Sequence, residues 1–127
     1  MMERLLFLFA AGGVGTLARY AVSTWVQRAA TTEFPWGILV ANSIGSFAVG
    51  LLYTLAEEHN LLTGELRIAV LVGFLGAFTT FSTFAFDTSQ LIRDDRYIWA
   101  ASNMVLNNAI GLSLVFVGIW IGRLQGS

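Results

Sequence analysis

The run Ile68-Ala69-Val70-Leu71-Val72-Gly73-Phe74-Leu75-Gly76-Ala77-Phe78-Thr79-Thr80-Phe81-Ser82-Thr83-Phe84-Ala85-Phe86 carries no charged side chain. A helix needs roughly 20 largely apolar residues to cross a hydrocarbon core about 30 Å thick, so a run of this length points to a membrane span. Two more charge-free runs flank it, from Phe34 to Ala56 and from Tyr97 to Gly122. A fourth, Leu5 to Gln27, is broken only by Arg19. The whole chain has 127 residues, 56% of them hydrophobic and 12% charged. Soluble domains carry about twice that share of charge. Four spans account for most of the residues and leave no room for a soluble domain, so a single domain is expected over 1–127.

In hydrocarbon the backbone must satisfy its own hydrogen bonds, which leaves helices or a closed barrel. Barrel strands alternate polar and apolar residues over about ten positions. The run Ile68-Ala69-Val70-Leu71-Val72 does not alternate, so the expected fold is all-α. With no cysteine there is neither a disulfide framework nor a thiolate metal site. A net charge of −1 gives no footprint for nucleic acid. Arg4 before an apolar run resembles the start of a signal peptide, but the pattern resumes past Arg19 and reaches spanning length, which favours a retained helix.

The spans are expected at about 3–29, 34–57, 64–91 and 97–122. Thr31 and Thr32 are placed to cap the second, and Pro35 suits its first turn, where a missing N–H costs nothing. The group Glu57-Glu58-His59-Asn60 reads as a polar turn. Thr63 and Glu65 suit the start of the third span, and Arg93-Asp94-Asp95-Arg96 reads as the last turn. Connections this short make neighbouring spans alternate in direction.

All seven basic residues are arginine. Arg4, Arg67 and Arg123 fall on one side, Arg28, Arg93 and Arg96 on the other, and Arg19 within the first span. Orientation follows an excess of Lys and Arg in cytoplasmic loops, and here the two sides balance. Either copies insert both ways or one orientation wins through other features; if both occur, the natural assembly is an antiparallel two-fold homodimer. The pairs Ala11/Gly15, Ala41/Gly45, Gly73/Ala77 and Gly118/Gly122 allow close helix packing in lipid.

Within the third span, Gly73 to Phe84 combines two glycines with hydroxyl residues at membrane depth. Two readings are open: a helix broken at mid-membrane, with freed carbonyls suited to a small alkali cation, or a continuous helix whose Thr and Ser hydroxyls bond back to the preceding turn. Phe81 and Phe84 share a face. Their positive ring edges can favour an anion without a full charge, or they can simply pack. Asn42 in the second span and Asn103 and Asn107 in the fourth are either interhelical glue or the lining of a wet path. Arg19, a charge inside a span, either draws anions into a vestibule or snorkels to an interface. Asp87 sits near a boundary. One histidine, His59, with no Ser/His/Asp set and no metal-ligand spacing, argues against an enzyme.

The blocks Gly12-Gly13-Val14-Gly15-Thr16-Leu17-Ala18-Arg19-Tyr20, Gly37-Ile38-Leu39-Val40-Ala41-Asn42-Ser43-Ile44-Gly45-Ser46-Phe47 and Gly73 through Phe84 resemble the three signature blocks of the Fluc (CrcB) fluoride channels. The resemblance covers the first three spans and the whole length. It implies a dual-topology homodimer with two pores in the cell's inner (plasma) membrane, passing fluoride passively outward and so relieving its toxicity. It further implies that Phe81 and Phe84 turn ring edges to the ion, that Asn42 hydrogen-bonds in the pore, and that Arg19 lies near the vestibule. Thr83 and Asp87 would continue a polar track. The resemblance implies too that the third helix is broken at mid-membrane, and that a structural sodium ion at the dimer centre is held by the carbonyls of that break, those of Gly76 and Thr79 from each subunit. The fourth span departs from the pattern: where many members have Tyr and then Ser, this chain has Asn103 and Asn107. A proton-coupled carrier of similar size would need a carboxylate at mid-depth, and spans one, two and four have none. A structural subunit of a larger complex is favoured by no residue.

Overall fold

The structure, a computed structural model, describes residues 1–125; residues 126 and 127 of the expected single domain lie outside the described residues. Every regular element among them is helical: α1 (Met2–Ala29), α2 (Trp36–His59), α3 (Gly64–Ile68), a π-helical stretch π1 (Ala69–Phe74), α4 (Leu75–Phe78), α5 (Phe81–Arg93) and α6 (Tyr97–Leu124). α3 to α5 run as one span, so four spans, Met2–Ala29, Trp36–His59, Gly64–Arg93 and Tyr97–Leu124, are long and apolar enough to cross a membrane. At 1.5 Å per residue the 28 residues of α1 reach about 42 Å, enough to cross a hydrocarbon core with ends to spare.

Two details at the ends differ from expectation. Neither Thr31 nor Thr32 caps α2: Pro35 itself is the capping residue, with no side-chain bond. Thr32 instead accepts a hydrogen bond from the indole N–H of Trp36 at 3.0 Å. The connection is held from the other side by Gln27, whose Nε2 donates to the Phe34 carbonyl at 2.9 Å and whose Oε1 accepts from the Gly37 amide at 2.9 Å. Glu57, Glu58 and His59 belong to the last turn of α2 rather than to a loop, because Asn60 takes the left-handed conformation that ends a helix there. Asp95 does the same after α5, where the Arg96 amide reaches back to the Leu91 carbonyl at 2.8 Å.

α2 and α6 form the most extensive contact, α1 packs on π1, α2 and α4, and α5 packs on α6. Close approach is bought by small residues. A Cβ at Gly50 would collide with the Val115 carbonyl, and one at Gly118 with the Phe47 carbonyl, so α2 and α6 touch nearly backbone to backbone. Ion pairs join the span ends: Arg4 with Glu65 at 3.1 Å, Arg123 with Glu58 at 3.1 Å, and Arg67 with Glu57 at one end, and Arg96 with Glu33 at 3.1 Å at the other. The pairing puts the N-terminus of α1 beside the start of α3 and the C-termini of α2 and α6 together, as alternating spans require.

Candidate functional site

Halfway along the third span the helical ladder stops. Thr79 and Thr80 have extended dihedrals, and α5 starts afresh at Phe81 with Thr80 as its capping residue. The Thr80 hydroxyl accepts from the Thr83 amide at 3.2 Å and lies 3.1 Å from the Thr83 hydroxyl, to which it donates. A hydroxyl in this position satisfies a donor that a helix start otherwise leaves open. In a continuous helix the Thr80 amide would go to the Gly76 carbonyl and the Thr83 amide to that of Thr79. Both amides are diverted, the first to Oδ1 of Asn42 at 2.9 Å. Asn42 also donates from Nδ2 to the Thr80 carbonyl at 3.1 Å. One side-chain amide thus meets both backbone groups of an extended residue, as a neighbouring strand would.

From Asn42 the hydrogen bonds continue into α6. Nδ2 of Asn42 reaches Oδ1 of Asn107 at 3.3 Å, and Nδ2 of Asn107 donates to the carbonyl and to Oδ1 of Asn103, both at 2.9 Å. Asn103 donates to the Thr88 hydroxyl at 2.9 Å, which donates in turn to the Phe84 carbonyl at 2.9 Å. Asn103 is 1% exposed, the most deeply buried polar side chain described.

A cavity of about 350 Å³ opens beside this chain, lined by Asn42, Thr79, Thr80, Phe81, Phe84 and Asn107 together with Ser46, Val49, Asn108 and Val115. No lining residue is charged. The Phe81 and Phe84 rings meet edge to face, with centroids 5.6 Å apart and planes at 65°. Phe84 is buried at 9% exposure, while Phe81 stands out at 78%. A second hollow of about 630 Å³ lies toward the Arg28 end, where Ser23, Gln27, Arg28 and Glu33 face Thr83 and Asp87.

The structure therefore gathers Asn42, Thr79, Phe81, Phe84 and Asn107 at one cavity and places Thr83 and Asp87 at the next. Asn103 stands behind Asn107, outside the lining. Arg19 is half-buried and donates to the Thr79 carbonyl at 3.4 Å. Gly76 is exposed, and a Cβ there would meet nothing in this chain. Sequence reasoning passed over the particular parts of Thr80 and Thr88. Thr88 lies one helical turn beyond Phe84, on the same face, which was the available signal.

Four apolar spans around a hollow lined by amides, hydroxyls, aromatic rings and two valines, with no cluster of three or more His, Asp or Glu among the described residues, define a polytopic membrane protein with a partly polar cavity between its helices. The family model described as "CrcB-like protein, Camphor Resistance (CrcB)" matches residues 6–119, and the chain belongs to that family. It is 48% identical over 124 residues to a protein of Nitrosococcus oceani, covering 98% of this chain and 99% of that one. A protein of Desulforapulum autotrophicum is 44% identical with the same coverage, and one of Solidesulfovibrio magneticus 43%. All three bear the name "Fluoride-specific ion channel FluC". That membership sets the chain among ion-channel proteins, not enzymes.

Proposed function

We propose that this chain is a fluoride-selective channel that lets the anion leave the cell passively, through the inner membrane, down its electrochemical gradient. The observation that carries the reading is the uncharged cavity in which Asn42, Thr80, Phe81 and Phe84 converge. Fluoride is small and strongly hydrated, so many weak donors must replace its water. The candidates are the Asn42 amide and the positive edges of the two rings, with the Thr83 hydroxyl, whose proton is left free by the bond it accepts from Thr80, at the next hollow. The N-terminus of α5 opens at Thr80 and Phe81, where amide groups and the helix dipole favour negative charge. A full positive charge in the cavity would hold the ion too tightly. Conduction needs binding favourable enough to enter and weak enough to leave.

The ladder interruption at Thr79 and Thr80 falls at the middle of the Gly64–Arg93 span, and we take it as a helix break at mid-membrane. It sets two helix ends back to back. The amide end serves the anion. The carbonyl end leaves Gly76 and Thr79 without their usual donors, which fits a small cation held by backbone oxygens. These two carbonyls from each of two copies would hold a structural sodium ion, which supplies fixed positive charge between the subunits. Arg19 approaches the Thr79 oxygen at 3.4 Å, and a carbonyl has a second lone pair for another partner.

The reading extends to an antiparallel homodimer with two pores. The three-to-three arginine balance supports it, as does the exposed Gly76, whose lack of a side chain serves no packing within the chain. The exposed Phe81 ring is likewise left for a second copy to cover.

The test is fluoride efflux from liposomes holding the purified chain, with chloride as control. Fast, fluoride-selective release that weakens in Phe81→Ala and Phe84→Ala supports the channel. Folded wild-type protein that releases no fluoride rules it out.

A further inference from the structure

The direction of the hydrogen-bond chain from Thr80 to Phe84 is not free. An amide's orientation is set by its partners, and here backbone groups, whose polarity cannot invert, fix it from several points. The Thr80 amide must donate and its carbonyl must accept, so Asn42 presents Oδ1 to one and Nδ2 to the other. The second N–H of Asn42 needs an acceptor, so Asn107 faces it with Oδ1. Nδ2 of Asn107 then points away, where the Asn103 carbonyl accepts one proton and Asn103 Oδ1 the other. Asn103 is left with Nδ2 for the Thr88 hydroxyl, whose own proton goes to the Phe84 carbonyl.

We propose that Asn103 is a positioning residue of the anion path, acting through Asn107 and Thr88 without touching the ion; the proposal rests on the fluoride reading above. Its two arms run in opposite directions. Toward Asn107 it accepts, which holds both Asn107 N–H groups away from Asn42. Were that amide reversed, N–H would face N–H across the cavity wall and the Asn42 contact would be lost. As built, one Asn42 N–H rests on a long 3.3 Å bond to Asn107. A passing anion can take that proton over, since hydrogen bonds to ionised acceptors are about twice as strong as neutral ones. Toward Thr88 it donates, which leaves the hydroxyl proton no role but to anchor the Phe84 carbonyl and with it the first turn of α5. Tyr in place of Asn103 would keep the backbone carbonyl that accepts one Asn107 proton, but its side chain has no separate acceptor and donor atoms to serve Asn107 and Thr88.

The experiment compares Thr88→Val, Asn103→Leu, their combination and Thr88→Ser in fluoride and chloride efflux. The side-chain amide signals of Asn42 and Asn107 are followed by NMR in the same purified, folded full-length protein. Thr88→Val keeps shape and removes only the hydroxyl, so it decides the matter even if Asn103→Leu does not fold. Each single change should slow fluoride efflux about tenfold, the order of one lost hydrogen bond, and narrow the fluoride-to-chloride ratio. The double variant should be no slower than the worse single, as residues acting in one network are not additive. Thr88→Ser should restore both. The Asn107 signal should move in Thr88→Val although Thr88 does not touch Asn107. Wild-type efflux with an unmoved Asn107 signal in Thr88→Val overturns the proposal. So does loss of transport in Asn103→Leu alone, which would make Asn103 a direct contact. If the wild type moves no fluoride, the channel reading fails; the Asn107 signal then decides the relay by itself, and an unmoved signal sinks it.

Discussion

Asn42 binds the backbone of Thr80 at two points, accepting from its amide at 2.9 Å and donating to its carbonyl at 3.1 Å. An extended residue in the middle of an apolar span leaves two backbone groups that lipid cannot serve. A primary amide on the neighbouring helix supplies one acceptor and one donor at the spacing of a peptide. Structure and function therefore meet in the same side chain: what permits the interruption also presents an N–H to the cavity.

Asn42→Leu should both destabilise the fold and stop transport. Leaving the Thr80 amide and carbonyl unpaired costs about 1–3 kcal/mol for each group. Thermal unfolding in detergent, followed by tryptophan fluorescence, should show a lower midpoint. Asn42→Asp keeps the acceptor for the Thr80 amide but loses both donors. It should unfold between Leu and wild type while passing as little fluoride as Asn42→Leu. A variant of either kind that matched wild type in both measurements would remove Asn42 from the path.

The two phenylalanines should separate stability from conduction. Phe84 is buried against the bundle, whereas Phe81 is largely exposed. Phe84→Leu should lower the unfolding midpoint, by the order of 1 kcal/mol for a changed shape in a packed site. Phe81→Leu should leave the midpoint in place. Both should slow fluoride efflux by about tenfold or more, because an aliphatic group has no positive edge to offer. Undiminished efflux in Phe81→Leu would mean that bulk alone matters at that position.

Exchange of sodium for a large organic cation should weaken the assembly. Gly76 and Thr79 offer neutral oxygens, which suit a small hard cation and cannot close on a bulky one. In N-methylglucamine buffer the protein should shift toward monomer on size exclusion and lose fluoride efflux, and added sodium should reverse both. Assembly and transport that ignored the cation would leave the freed carbonyls without this role.

Tight contact between α2 and α6 makes a further expectation about folding alone. Gly50→Ala and Gly118→Ala each drive a methyl group into a facing carbonyl. Either should separate the helices and cost about 1–3 kcal/mol. Gly76→Ala, by contrast, meets nothing within the chain. It should leave the unfolding of the monomer unchanged, and any effect it has should appear in association.

The spans were legible because absence of charge over membrane length is a one-dimensional property. Their caps were less so: Thr31 and Thr32 have the right chemistry, but Trp36 engages Thr32 and Gln27 holds the connection instead. Phe81, Phe84 and Asn42 stood out as polar or aromatic features at unusual depth. The partners that give them meaning did not. Thr80 lies 38 positions from Asn42, and Thr88 is 15 from Asn103. Those bonds depend on how α2, α5 and α6 pack, which no local pattern encodes. The residues of Gly73 to Phe84 alone are equally compatible with a back-bonded helix, and it is the family resemblance that implies a break there. Which amides would abandon the ladder depends on Asn42 arriving from another helix.

Orientation should be controllable by few charges, because the arginines balance at three and three. Arg28 and Arg93 form no ion pair among the described residues, so Arg28→Gln with Arg93→Gln removes two positive charges from one side at little structural cost. One orientation should then dominate, as read by a reporter fused to the C-terminus. If two opposed copies are required for conduction, this variant should lose fluoride efflux when expressed alone. Arg4→Gln with Arg123→Gln biases the chain the other way and gives up only solvent-screened pairs at the span ends. It too should be inactive alone, and co-expression of the two should restore transport. Full activity in a chain shown to insert one way only would mean that the path forms without an inverted partner, and the antiparallel assembly would have to be abandoned.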